Sequence, residues 1–248
     1  MAADAYARFM GIYSEPLGER FVELLELRPG LRALDVGCGP GVLTARLVAH
    51  LGVEHVVAID PSAPFVGATR ARFPDIGVHE GSAEALPFPD DGFDVAVAQL
   101  VVHFMSDPVA GLAEMARVTR PGGLVAANVW DHAGNGGPLT TFWRAVHDVD
   151  PGASDESDLP GTREGHLAEL FARAGMRDVQ QGRLTVQVRF RSFDQWWAPY
   201  EMGVGPAGSY VAGLDGVRRR ALVGACRARL PQPPFTVDAS AWTVTARA

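Results

Sequence analysis

The residue types best suited to chemistry in this chain stand just after short apolar runs. Leu34-Asp35-Val36-Gly37-Cys38-Gly39-Pro40-Gly41 puts three glycines at alternate positions directly behind one such run. Gly37 and Gly39 tolerate positive φ and let the backbone approach a ligand that a Cβ would exclude. A dinucleotide fingerprint would need a further glycine at position 42, where the chain has Val42, so a nucleoside carrying an uncharged linker fits the turn better than a pyrophosphate. The next apolar run closes on Asp60, 23 residues beyond Gly37. A carboxylate at that distance can accept hydrogen bonds from both hydroxyls of a ribose; equally, Asp60-Pro61-Ser62 can cap a following helix. His103 follows the fourth run and is the candidate general base for an acceptor that must lose a proton, with a packed structural histidine as the alternative. Trp130 ends the fifth run, with Asp131 and His132 beyond it. No ligand set surrounds that pair, and no metal is expected.

These residues need a sheet to hold them. Apolar, β-branched runs at 32–36, 55–60, 77–80, 93–99 and 124–130 alternate with helical patterns at 42–51, 63–73 and 108–118, the order of a parallel sheet built from βαβ units. In such a sheet, ligands bind at the carboxyl ends of the strands. Ser14 ahead of Glu15-Pro16 reads as an N-cap opening an amphipathic helix. Residues 150–162 are rich in Asp, Ser, Pro and Gly and read as a mobile surface loop. Leu167, Leu170, Phe171 and Ala174 repeat at helical spacing before a strand at 179–190. Residues 192–231 read as two or three helices broken at the Gly203–Gly208 run, and 235–244 as a final strand.

Composition narrows the chemistry. The 248 residues carry a net charge of −7, and all 22 basic side chains are arginine. Without lysine, Schiff-base chemistry and a Walker-type phosphate grip are excluded. The acidic balance disfavours nucleic acid and anionic membranes as partners. No apolar run of ~18 residues appears and the N-terminus lacks a secretion-signal layout, so a cytoplasmic protein is expected. Cys38 and Cys226 make no disulfide framework.

After the third run comes Glu80-Gly81-Ser82-Ala83-Glu84-Ala85-Leu86-Pro87-Phe88, and after the fourth Val102-His103-Phe104-Met105-Ser106-Asp107-Pro108, then Glu114-Met115-Ala116-Arg117-Val118 and Pro121-Gly122-Gly123. With the glycine turn, this set resembles the class I S-adenosylmethionine-dependent methyltransferases, in their ubiquinone-biosynthesis-like, type 11 small-molecule branch, over roughly residues 31–131. The resemblance implies a Rossmann-like, doubly wound α/β fold: a seven-stranded sheet with the last strand antiparallel, an N-terminal cap and a helical lid. It divides one methyltransferase domain, residues 1–248, into a cap (1–30), a cofactor-binding core (31–190), a lid insertion (191–234) and a final strand (235–248).

Carried over by residue, it implies that Asp35, Gly37, Cys38 and Gly39 surround the methionine part of S-adenosylmethionine and that Asp60 and Pro61 bracket its ribose. Ser82, Ala83 and Glu84 would lie by adenine, with Ser82 where the family usually has Asp, and Gln99 and Leu100 near the methyl group. Tyr13 would hydrogen-bond the cofactor carboxylate. Tyr6, Phe9 and Met10 would wall the acceptor pocket or pack on the core, and Trp130 would face the crevice. Trp197 and Tyr200, on an aromatic stripe in the lid, would be pocket or core. Nucleic-acid methyltransferases are disfavoured, because Gln99-Leu100-Val101-Val102 replaces the Pro-Pro-aromatic motif and neither cysteine follows proline. The implied function is methyl transfer from S-adenosylmethionine, leaving S-adenosylhomocysteine, to O, N or C of a small metabolite, with aromatic or apolar acceptors among the candidates, by a monomer or homodimer. The alternative from another class is a non-catalytic module that binds either form of the cofactor.

Overall fold

The computed structural model describes residues 7–248. Five parallel strands, β1 (Ala33–Val36), β2 (Val56–Asp60), β3 (Gly77–Glu80), β4 (Phe93–Gln99) and β5 (Thr119–Trp130), are followed by β6 (Arg177–Phe190) and β7 (Phe235–Arg247). They form one seven-stranded sheet in the order β3-β2-β1-β4-β5-β7-β6. β7 runs antiparallel to both its neighbours, with Ala126 opposite Thr245 and Leu184 opposite Ala241. The chain order reverses between β1 and β4, which places the crevice over the ends of β1, β2 and β4.

The sheet is buried on both faces because its strands alternate two apolar sets. Ala33, Val95, Val97 and Ala126 pack with Phe21, Leu43 and Leu47 from α1 (Ile12–Leu24) and α2 (Val42–Leu51). Leu34, Val36, Ala96, Ala98, Val125 and Ala127 meet the other layer. That layer includes Leu112 and Met115 of a helix that follows α3 (Ala63–Arg72), namely α4 (Pro108–Val118). A third cluster lies around Trp130. It joins Phe142 and Val146 of α5 (Thr140–Val149) with the segment between β6 and β7. After α6 (His166–Arg173), that segment forms α7 (Phe193–Trp197), a 3-10 turn (Ala198–Met202), α8 (Gly205–Ala212) and α9 (Gly216–Arg229).

Two local expectations are revised. Ser14 does not cap: a π-helical turn, Ala7–Gly11, runs straight into α1, and Ser14 is buried inside it. The burial of Tyr13, Leu17 and Phe21 on one stripe overrides the capping signal. The acidic loop at 150–162 packs down, with Glu156 and Thr162 buried; the Thr162 hydroxyl donates to the carbonyls of Ser157 and Leu159 at 2.7 Å each. The glycine run after the 3-10 turn is close-packed, since a Cβ on Gly208 would meet the carbonyl carbon of Gly203 at 2.7 Å.

Candidate functional site

The glycine turn is held by β2. The N–H groups of Gly37 and Cys38 donate to the Ile59 carbonyl at 2.8 and 3.0 Å. Gly37 has φ +71° and Gly39 φ +53°, both left-handed. A Cβ on Gly37 would lie 2.4 Å from the Val101 side chain, whereas one on Gly39 would meet nothing within 4 Å. The turn thus needs glycine at 37 for fit and presents bare backbone to open space at 39.

Asp60 ties this turn to the start of α3. Its Oδ2 accepts from the Gly39 N–H and its Oδ1 from the Ser62 N–H, each at 2.8 Å. Both readings of Asp60 therefore have a counterpart, because each carboxylate oxygen retains a second acceptor site. Burial pushes its pKa up and the two N–H bonds pull against that. Asp35 is deeper: burial drives its carboxyl up to about 7, opposed by the Thr44 hydroxyl donating at 2.6 Å.

At the end of β4, the Gln99 side-chain amide donates to the Ser14 carbonyl at 2.9 Å, docking α1 on the crevice, while Gln99 Oε1 is buried without a partner. Leu100 then takes φ +60°, a strained backbone for a side chain with a Cβ, of the kind that collects at functional sites. His103 is 5% exposed and its Nδ1 has no partner. Burial, helped by His132 with ring centroids 6.3 Å apart, lowers its pKa to about 3. Burial likewise takes His132 to about 4. The titration near neutrality expected of His103 is thus absent, and both rings are neutral at physiological pH.

These groups border one cavity of about 450 Å³. It runs from Asp60, Pro61 and Ser62 past Gly37, Gly39, Gln99 and Leu100 to His103, Trp130 and His132, with Phe9 and Met10 on its wall. Since β2 and β5 are three strand spacings apart, its span is roughly 14 Å. Asp35 and Cys38 line a small adjoining pocket with Ser14, Gln99 and Leu100.

Other expected residues fall elsewhere. Tyr13 is buried against Phe190 and does not line the cavity. Ser82, Ala83 and Glu84 are also off the lining; Ser82 bonds Glu84, whose Oε1 accepts the Ser106 N–H at 2.8 Å, so they adjoin the cavity through the segment after Phe104. Trp197 and Tyr200 lie outside it in the core. Tyr200 stacks on Phe142 at 4.4 Å and meets the edge of Phe9 at 5.2 Å, and the Trp197 indole N–H donates to Glu201 at 2.8 Å. Bulky side chains on adjacent turns of this segment pack with Phe142 and Val146 of α5 in one buried cluster. Tyr6 lies outside the described residues. Asp131 is engaged by Arg183 at 3.0 Å and by the Gly134 N–H at 2.8 Å, so it braces the end of β5.

Sequence reasoning missed Glu156, Phe65, Val101, Leu139 and residues 204–206, all on the lining. Glu156 sits in an acidic loop beside Asp155 and Asp158, and no periodicity marks which carboxylate turns inward. Among the described lining residues there is no arginine.

Residues 34–127 match the family model described as "Methyltransferase domain". The demethylmenaquinone methyltransferase of Beutenbergia cavernae is 43% identical over 102 residues, covering 41% of this chain and 42% of that protein. Among solved structures, the YcgJ protein of Bacillus subtilis superposes with a TM-score of 0.62 at 18% identity, over 95% of this chain and 97% of that one. The Haemonchus contortus phosphoethanolamine N-methyltransferase 2, in complex with S-adenosyl-L-methionine, gives 0.60 at 14% identity over 99% and 56%. The chain spans about half the length of the curated relatives it matches. Residues 34–127 thus match a methyltransferase domain, and the whole chain shares its fold with these solved structures.

Proposed function

We propose that the chain transfers a methyl group from S-adenosylmethionine to an O, N or C nucleophile of a small metabolite. The observation that carries this reading is the single cavity joining the glycine turn and Asp60 to an apolar chamber under Trp130. A module that only binds the cofactor would have no use for that second half. The residues fit the cofactor: Gly39 offers bare backbone, Asp60 keeps a free acceptor site on each oxygen, and Gln99 Oε1 is a buried acceptor in want of a donor.

Asp35, Gly37, Cys38 and Gly39, with Tyr13 behind them, would hold the methionine part; Asp60 and Pro61 the ribose; Ser82, Ala83 and Glu84 the adenine edge; Gln99 and Leu100 the region of the methyl group. When bound, the cofactor supplies an electrophilic methyl carbon on a sulfonium. The chain's part is positioning: the strained turn at Leu100 and the docked α1 fix the floor, and Phe9, Met10 and Trp130 exclude water. Positioning of this kind is worth up to roughly 7–11 kcal/mol. His103 would face the acceptor as a neutral imidazole. The protein would work in the cytoplasm as a monomer or homodimer, without nucleic acid, the helices between β6 and β7 serving as its lid.

Calorimetry tests the reading: S-adenosylhomocysteine is expected to bind with micromolar affinity and NADH not at all. The reverse pattern would overturn it.

A further inference from the structure

Glu156 belongs to the loop after α5, yet it is only 5% exposed and lines the cavity. Its Oε2 is buried without a hydrogen-bond partner. The Trp143 indole N–H is near enough to pull on this carboxyl, yet it does not reach hydrogen-bond geometry with it. Three more buried polar atoms of lining residues lack a partner: His103 Nδ1 and the Trp130 indole N–H at the same β5-side end, and Gln99 Oε1 nearer the glycine turn. Four such atoms on one cavity, three of them at its β5 end, are a strong demand for a ligand, because a buried polar group without a partner is costly.

The walls beside Glu156 and His103 are Phe9, Met10, Trp130 and Leu139, polar only at the Trp130 indole N–H. The charged side chains on the lining are Asp60 and Glu156, with no arginine among the described residues, and the chain has no lysine. An anionic acceptor would meet a carboxyl and neutral imidazoles, with no protein cation to offset its desolvation.

We propose that Glu156 is the recognition residue for the methyl acceptor, and that the acceptor is an uncharged, mainly apolar molecule whose hydroxyl or amine donates a hydrogen bond to Glu156. This rests on the methyltransferase reading for the word "acceptor" and deepens it by naming the substrate class. Burial, which drives the Glu156 carboxyl up to about 7, agrees with a site that favours a neutral partner.

The test uses three probes of one shape, 2-naphthol, 2-methoxynaphthalene and 2-naphthoate, titrated calorimetrically into the full chain with and without S-adenosylhomocysteine. Wild type is expected to bind 2-naphthol about tenfold or more tightly than the methoxy analogue, which lacks the donor, and not to bind the carboxylate. E156L is expected to narrow the naphthol preference to within about twofold. Difference infrared spectra of wild type should show a carboxyl band moved by 2-naphthol and unmoved by 2-methoxynaphthalene, which keeps the proposal testable should E156L not fold. Naphthoate binding as tightly as naphthol, an E156L protein that keeps the preference, no naphthol binding, or an unmoved carboxyl band would each overturn it. A hydroxyl preference that persists while S-adenosylhomocysteine fails to bind would instead remove the methyltransferase reading and leave this site standing.

Discussion

Asp60 and Glu156 are both buried carboxyls on one cavity, and their partners separate their roles. Asp60 is already anchored by two backbone N–H groups, so its carboxyl is fixed in direction. Asp60→Ala is therefore expected to weaken S-adenosylhomocysteine binding at least about tenfold, from loss of charge-assisted hydrogen bonds worth about 1.5–3 kcal/mol each. An unchanged dissociation constant in calorimetry would remove the ribose assignment. At Glu156 burial wins over the pull of its own backbone N–H and of Trp143 and raises its pKa from 4.5 to about 7. The groups around it are Asp155, next in the chain, His132 beyond β5, Arg144 and His147 on α5, and Tyr200. His147 lies 3.7 Å from Asp155. In the folded chain Glu156 keeps its proton up to about pH 7, whereas unfolded it releases it near 4.5. Stability from this group is thus complete below the lower value and is lost as pH rises through the upper one, by up to about 3 kcal/mol. Glu156→Gln is expected to match wild type in denaturant melts near pH 4.5 and to exceed it at pH 8. Equal stability at pH 8 would contradict the burial-driven shift. The Asp35 carboxyl, also pushed up to about 7 by burial, is common to both proteins and cancels in the comparison.

At the scale of elements, the glycine turn and the helices after β6 depend on close backbone approach. Gly37→Ala combines a left-handed φ with a Cβ 2.4 Å from Val101, and is expected to lower stability by about 1–3 kcal/mol. Val101→Ala should relieve only the steric part, so the double variant is expected to melt between Gly37→Ala and wild type. A Gly37→Ala protein as stable as wild type would contradict this fit. The turn was legible in the sequence because alternating glycines after a β-branched run have few other uses, and the five-strand, three-helix order followed from periodicity. Ser14 misled because a cap is a local signal, while the apolar stripe of Tyr13, Leu17 and Phe21 is set by the tertiary core. The aromatic stripe at Phe193, Trp197 and Tyr200 was visible as a stripe. Which side of it meets a cavity depends on α5, a helix some fifty residues earlier. Glu156 was illegible for the same reason: inward rotation of one carboxylate in an acidic loop is decided by the chamber it closes.

At the scale of the whole molecule, the cavity is built by parts far apart in the chain. The π-helical turn before α1, the ends of β1, β2, β4 and β5, the loop carrying Glu156 and the start of α8 all border it. A ligand filling the half proposed for the cofactor would add contacts to several of these parts at once. Binding to the folded state alone stabilises by mass action, about 2.7 kcal/mol at a hundred times the dissociation constant. For a chain of this size each kcal/mol moves the melting temperature by about 2–4 °C, so saturating S-adenosylhomocysteine is expected to raise Tm by roughly 5–10 °C. NADH at the same concentration should leave Tm unmoved, because the turn has Val42 where a dinucleotide site needs glycine and the chain has no lysine. Asp60→Ala should shrink the S-adenosylhomocysteine shift, whereas Glu156→Leu should retain it, since Glu156 borders the β5 end of the cavity and Asp60 the β2 end. Loss of the shift in both variants would mean that the two ends of the cavity do not bind independently, and the division into a cofactor half and an acceptor half would fail.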